Sequence, residues 1–179
     1  MTRMTSNWAA FTTAEPDFAK TAEERFGGGG AGVSPAKHST HHVLATLRKD
    51  GSPRTSGLEV RFRNGELWLG MMPNSLKALD LRRDPRFALQ ANPGSGTEMA
   101  GGDVRISGRA VEVTEPETVA LYTGKTGKTE EVEQPESPES FHLFRTELTE
   151  VVRTYVEDNA YLVVQIWKPG QPVRSVKRE

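Results

Sequence analysis

Met71-Met72-Pro73-Asn74-Ser75-Leu76-Lys77 is the turning point of the chain. Before it, apolar residues alternate as they do in strands; after it, they recur as they do in a helix. Glu66 to Met72 reads as a strand and Pro73-Asn74 as a tight turn. Ser75 to Arg83 reads as a helix, with Leu76, Leu79 and Leu81 apolar and Ser75 near its N-cap. Asp84-Pro85 stops that helix, because the residue before a proline avoids helical backbone angles. The unpaired N–H groups at a helix start attract anions. A serine hydroxyl and a lysine ammonium beside them make Ser75 and Lys77 a candidate phosphate cradle.

Upstream of this point, His42 to Lys49 and Arg54 to Arg63 read as strands joined by the turn Asp50-Gly51-Ser52-Pro53. Asn64-Gly65 is a hairpin turn leading into the strand at Glu66. Downstream, Phe87 to Ala91 is a strand and Asn92 to Gly102 a Gly-rich loop. Asp103 to Thr114 is a strand with Val104, Ile106 and Gly108 on one face and Arg105, Ser107 and Arg109 on the other. A short helix runs from Pro116 to about Tyr122, and the polar stretch 123–140 reads as a loop. Phe141 to Val156 and Tyr161 to Trp167 close the pattern as a hairpin. Near the start, Phe11, Ala14, Phe18, Ala22 and Phe26 form one helical stripe, with Pro16 in the helix's first turn and Gly27 to Gly30 ending it. The expected fold is mainly β with helices: a six-stranded antiparallel split barrel over 38–179, preceded by an N-terminal helix and Gly-rich linker over 1–37.

Composition excludes several classes. The 179 residues contain no cysteine, which removes disulfide scaffolds, thiolate metal sites and cysteine nucleophiles. The formal net charge of -1 excludes a nucleic-acid binder held by bulk charge. No apolar run is long enough to span a membrane, and Met1 to Trp8 has no apolar signal region, so a cytoplasmic protein is expected. Residues 38–114 carry eleven Lys and Arg against eight Asp and Glu, whereas 115–160 carry four against eleven. The first segment suits an anionic ligand, and the second reads as a solvated acidic face.

Other motif matches fail on context. Gly27, Gly29 and Gly32 satisfy a dinucleotide fingerprint, but a helix precedes them and Pro35 follows. Gly127-Lys128-Thr129 lacks the earlier glycine of a phosphate loop, since Tyr122 stands at that position. His38, His41 and His42 have no acidic partner nearby, so no metal site is expected.

The order of the surviving pieces is more specific than any one of them. Ala45-Thr46-Leu47, Asp50-Gly51-Ser52-Pro53, Leu67-Trp68-Leu69, Ser75-Leu76-Lys77-Ala78, Leu81-Arg82-Arg83-Asp84-Pro85-Arg86 and Gly108-Arg109-Ala110 follow one another. This order resembles the FMN-binding split barrel of the pyridoxamine 5'-phosphate oxidase-like family. The resemblance implies a homodimer with a flavin in a groove between subunits, acting as an oxidoreductase on a small molecule. It matches Ser75 and Lys77 to the cofactor phosphate, with Gly70 and Met71 beside it. Ser56, Gly57, Leu58, Glu59 and Val60 match the segment lining the flavin ring, Arg61 a basic position on the substrate side, and Asp103 a polar position touching the ring. Arg105 joins them because it shares a face with Asp103. Arg61, Asp103 and His42 are candidate proton donors or orienters, and no catalytic residue is assigned.

Leu76 stands where the family often has arginine, leaving Arg54, Arg82 and Arg83 as replacement bases. Trp167 and Arg174 are similar in kind to a Trp and Arg of the oxidases themselves. The expected cofactor is FMN, or alternatively 8-hydroxy-5-deazaflavin (coenzyme F-420). A non-enzymatic flavin- or haem-binding module and an empty barrel serving as an interaction protein are the other readings of the same fold.

Overall fold

The computed structural model describes residues 5–27, 41–92, 102–123 and 141–179. The Gly-rich connector with His38, most of the loop after Asn92, and the acidic stretch 124–140 lie outside the described residues. The elements are α1 (Trp8–Ala14), α2 (Pro16–Arg25), β1 (His42–Leu47), β2 (Pro53–Leu58), β3 (Val60–Arg63), β4 (Glu66–Met71), α3 (Leu76–Arg83), β5 (Arg86–Gln90), β6 (Asp103–Val113), α4 (Pro116–Thr123), β7 (His142–Glu157), β8 (Tyr161–Trp167) and β9 (Arg174–Arg178).

All ladders are antiparallel, in the order β2-β1-β5-β6-β7-β4-β3, with β8 on β7 and β9 on β8. The two ends of this path, β2 and β3, are consecutive in the chain and separated only by Glu59. The expected single strand Arg54 to Arg63 therefore changes partner at Glu59, from β1 to β4. The sheet curls into a split barrel, and its hydrogen bonding does not close. Counting β2 and β3 together, six strands make the barrel, and β8 and β9 extend it. Strand β9 was not expected: Arg-Ser-Val-Lys-Arg carries no apolar alternation, and such a charged edge strand exists only through its neighbour β8.

The expected single N-terminal helix is two. Glu15 takes φ -139° and ψ 69°, outside the helical region that a residue before proline avoids, and Pro16 then starts α2 at its first position. Asn7 caps α1 by accepting the Ala10 N–H at 3.0 Å. The break turns both helices onto the barrel. Trp8, Phe11, Phe18, Ala19 and Ala22 are buried in one core with Leu44, Leu89, Ile106 and Leu148, whereas Ala14 of the expected stripe is exposed. Phe11 meets Trp167 at 4.7 Å between ring centres and Trp8 meets Phe62 at 4.6 Å.

The turns follow their residues. Asn64 and Gly65 both take positive φ, as do Asp158 and Asn159 between β7 and β8. On β6 the expected inward face holds: Val104 and Ile106 are buried and Arg105 and Arg109 exposed. A smaller cluster of Trp68, Val113, Tyr122 and Leu143 lies beneath α4. Among the described residues no helix is long and apolar enough to cross a membrane.

Candidate functional site

The partner switch at Glu59, the end of β4 and the start of α3 converge on a cavity of 810 Å³. Gly57, Leu58, Glu59 and Arg61 line it from the β2–β3 junction; Gly70 and Met71 come from β4, and Ser75 and Lys77 from the start of α3. The volume is that of a small-molecule site.

Lys77 spans the gap between helix and strand. Its Nζ donates to the Gly57 carbonyl at 2.6 Å, and burial lowers its pKa from the ordinary lysine value. Ser75 caps α3 through its carbonyl, which accepts the Ala78 and Leu79 N–H groups, and its hydroxyl makes no capping bond. The hydroxyl is thus not consumed by the helix start. A side chain at Gly57 would meet only His41, no nearer than 3.7 Å, so this bare strand position leaves room for a planar group. His41 in turn brings Nε2 within 3.8 Å of a Glu59 carboxylate oxygen at the cavity mouth.

The opposite wall is aromatic. Tyr122 and Phe141 line the cavity with ring centres 5.7 Å apart. Both rest on Gly70, where a Cβ would come within 2.6 Å of the Tyr122 hydroxyl and of Phe141 Cζ. Arg61 fixes this wall: Nη1 donates to the Tyr122 carbonyl at 3.3 Å, and the guanidinium lies 5.1 Å from the Tyr122 ring centre. Burial raises the pKa of the Tyr122 phenol, which stays protonated near neutrality.

Four of the twelve expected site residues lie elsewhere. Val60 packs against the core. Ser56 pairs with fully buried Leu44, and its hydroxyl is buried with no hydrogen-bond partner among the described residues. Asp103 and Arg105 lie on β6, away from the cavity. Asp103 Oδ2 accepts from the Gln90 amide at 2.9 Å, and its Oδ1 is buried without a partner among the described residues.

The replacement bases are committed to other groups. Arg54 and Arg83 hold Asp80, and Arg82 forms two hydrogen bonds to Glu112. Trp167 is buried against Phe11, and His42 is buried beside Phe26. Among the described residues no group of three His, Asp or Glu is placed to hold a metal.

His41, Pro73, Tyr122 and Phe141 line the cavity without having been read as site residues, and Met72 lines it beside Met71. Met72 and Pro73 flank the cradle motif and were legible from adjacency. Tyr122 and Phe141 come from distant segments, and the only trace in the sequence of their approach is the absence of a side chain at Gly70.

A family model described as pyridoxamine 5'-phosphate oxidase matches residues 36–155. No curated protein matches the chain. Among solved structures, PhzG from Burkholderia lata 383, in complex with tetrahydrophenazine-1-carboxylic acid, is similar at 14% identity. The match covers 95% of this chain and 92% of that one, with a TM-score of 0.62. A pyridoxamine 5'-phosphate oxidase-related, FMN binding protein from Nostoc punctiforme PCC 73102 is similar at 12% identity, covering 92% and 96%, with a TM-score of 0.61. At these identities the likeness is one of fold.

Proposed function

We propose, since the chain belongs to the pyridoxamine 5'-phosphate oxidase family, that it is a flavin-dependent oxidoreductase that binds FMN in the 810 Å³ cavity and acts on a small molecule. The observation that carries this reading is the junction of Lys77 with the Gly57 carbonyl. It joins a helix start bearing Ser75 to the bare strand segment in one cavity. These residues fit the group: a cation, a hydroxyl and helix-start N–H groups for a phosphate, and a side-chain-free strand for a ring.

Bound FMN would supply a ring that accepts or gives a hydride. Ser75 and Lys77 would hold its phosphate, and Gly57 and Leu58 would line the space for its ring. Tyr122 and Phe141 exclude water from the far wall, with Arg61 keeping that wall in place. Glu59 and His41 stand at the mouth, where a substrate enters.

The reading includes a second copy of the chain. One face of the β7–β8 ladder carries Val152, Val156, Leu162, Val164 and Ile166, with Val152 buried and Val156 and Leu162 exposed. Arg105 pairs with Val152, so a copy packed on this face would meet Arg105 and its neighbour Asp103. In this reading each copy brings those two residues to the other's cavity.

Titration of the purified protein with FMN and, separately, with coenzyme F-420 tests the reading. Saturable FMN binding that weakens at least tenfold in Lys77→Ala is expected, as for loss of a charge-assisted hydrogen bond worth about 1.5–3 kcal/mol. Binding of F-420 alone would make the chain a deazaflavin reductase. Binding of neither would overturn the oxidoreductase reading.

A further inference from the structure

Helix α3 carries Lys77 and is capped by Ser75, yet its apolar grip on the barrel is small. Only Ala78 and Leu81 of its hydrophobic residues are buried, while Leu76 and Leu79 are 58% and 47% exposed. What ties it down is a carboxylate. Asp80 is 3% exposed. Its Oδ2 accepts from Thr46 Oγ1 at 2.9 Å and from Arg54 Nε at 2.6 Å, and its Oδ1 accepts from Arg83 Nη2 at 2.9 Å. Arg83 Nη2 also donates to the Leu47 carbonyl at 2.5 Å. Asp80 thus binds α3 to β1 through Thr46 and to β2 through Arg54, and Arg83, the helix residue that it holds, adds the bond to Leu47. The helix touches β2 again at Gly57, through Lys77.

We propose that Asp80 is the positioning residue of the phosphate cradle: by holding Thr46 of β1 and Arg54 of β2, and by orienting Arg83 of its own helix toward the Leu47 carbonyl, it sets the placement of α3, and with it Ser75 and Lys77, against β2. This rests on the FMN reading above. The physical basis is the rigidity of a hydrogen-bonded helix: Asp80 and Lys77 are less than one turn apart, so a displacement at one reaches the other. An apolar contact such as Leu81 tolerates sliding, whereas two directional hydrogen bonds from β1 and β2 to one carboxylate do not. Asparagine keeps the shape but removes the charge that both guanidinium groups bear on, and it sets an amide donor against either Arg83 or the Thr46–Arg54 pair.

A merely structural role would weaken every ligand of the cavity together. A positioning role acts on the phosphate end alone. The test compares FMN with riboflavin, which has the same ring and side chain without the phosphate, by flavin fluorescence on the full chain. Wild type is expected to prefer FMN at least tenfold. Asp80→Asn, and Arg54→Gln as a second variant should the first fail to fold, are each expected to cut the preference to about threefold or less. Riboflavin affinity should stay within twofold. Phe11→Ala, which weakens the core away from the cavity, should leave the preference intact.

An unchanged preference in both Asp80→Asn and Arg54→Gln overturns the proposal, as does a parallel loss of both flavins. If wild type binds both flavins equally, the ring site stands, and the phosphate cradle falls together with this proposal. If wild type binds neither, the FMN reading itself has failed and the proposal fails with it.

Discussion

Gly70 and His42 show how much a single position carries here. Gly70 is needed for the space it leaves, and its φ is not in the left-handed region. A methyl group there would push into the Tyr122 hydroxyl and Phe141 at once. Gly70→Ala is expected to destabilise the fold by about 1–3 kcal/mol, the usual cost of overpacking, and to weaken ligand binding by displacing the aromatic wall. Urea denaturation and flavin titration of the variant check the two effects separately.

His42 is held neutral. The Asn92 N–H donates to Nδ1 at 3.1 Å, so the proton sits on Nε2, which donates to the Phe26 carbonyl at 3.2 Å. Burial lowers its pKa below the ordinary 6.5, against the opposing pull of the Phe26 carbonyl. The unfolded chain therefore takes up a proton that the folded chain refuses. The resulting stability is complete above about pH 6.5 and is lost as the pH falls from there toward the lowered folded pKa. His42→Gln should flatten this part of the pH–stability profile measured by urea denaturation. Neither environment is legible from a residue's own neighbours in sequence, since the groups that define it lie 16 to 71 positions away.

At the scale of elements, the strand–turn–helix at 66–83 and the hairpins were readable because their patterns are local. Apolar period, turn residues and stop signals all lie within a few positions of one another. The N-terminal stripe misled for a physical reason. Helical spacing continues across Glu15-Pro16, but the proline ring forbids the helical backbone on its N-terminal side. The two resulting helices are parts of the core. Phe11 is fully buried and touches Trp8, Phe18 and Trp167. Phe11→Ala is expected to cost about 3–5 kcal/mol, read as a lower urea midpoint with the slope unchanged. A stability within about 1 kcal/mol of wild type would mean that the helices sit loosely on the barrel.

For the whole molecule, the question is what covers the aliphatic face of β7 and β8. Val156 and Leu162 stand directly opposite each other and are 46% and 39% exposed. Under the two-copy reading, Leu162→Glu should shift the protein from dimer to monomer in sedimentation. FMN binding should weaken with it, because Asp103 and Arg105 would no longer reach the other copy. A monomeric wild type that binds FMN normally would refute that assembly while leaving the cavity reading intact.

Read alone, the sequence determined the β-rich class, the order of strands and turns as far as Trp167, and the placing of Ser75 and Lys77 together at a helix start. Each of these depends on backbone preference and residue chemistry at short range. The resemblance also singled out the segment 56–61, of which four residues line the cavity. Only the tertiary structure decided that β2 and β3 exchange partners at Glu59 and that Tyr122 and Phe141 close the far wall. It alone decided that Arg54 and Arg83 hold Asp80 and that Asp103 and Arg105 stand apart from the cavity. These outcomes depend on which segments meet across the curl of the sheet. Pairing and packing over long sequence separations set that, and no local pattern encodes it.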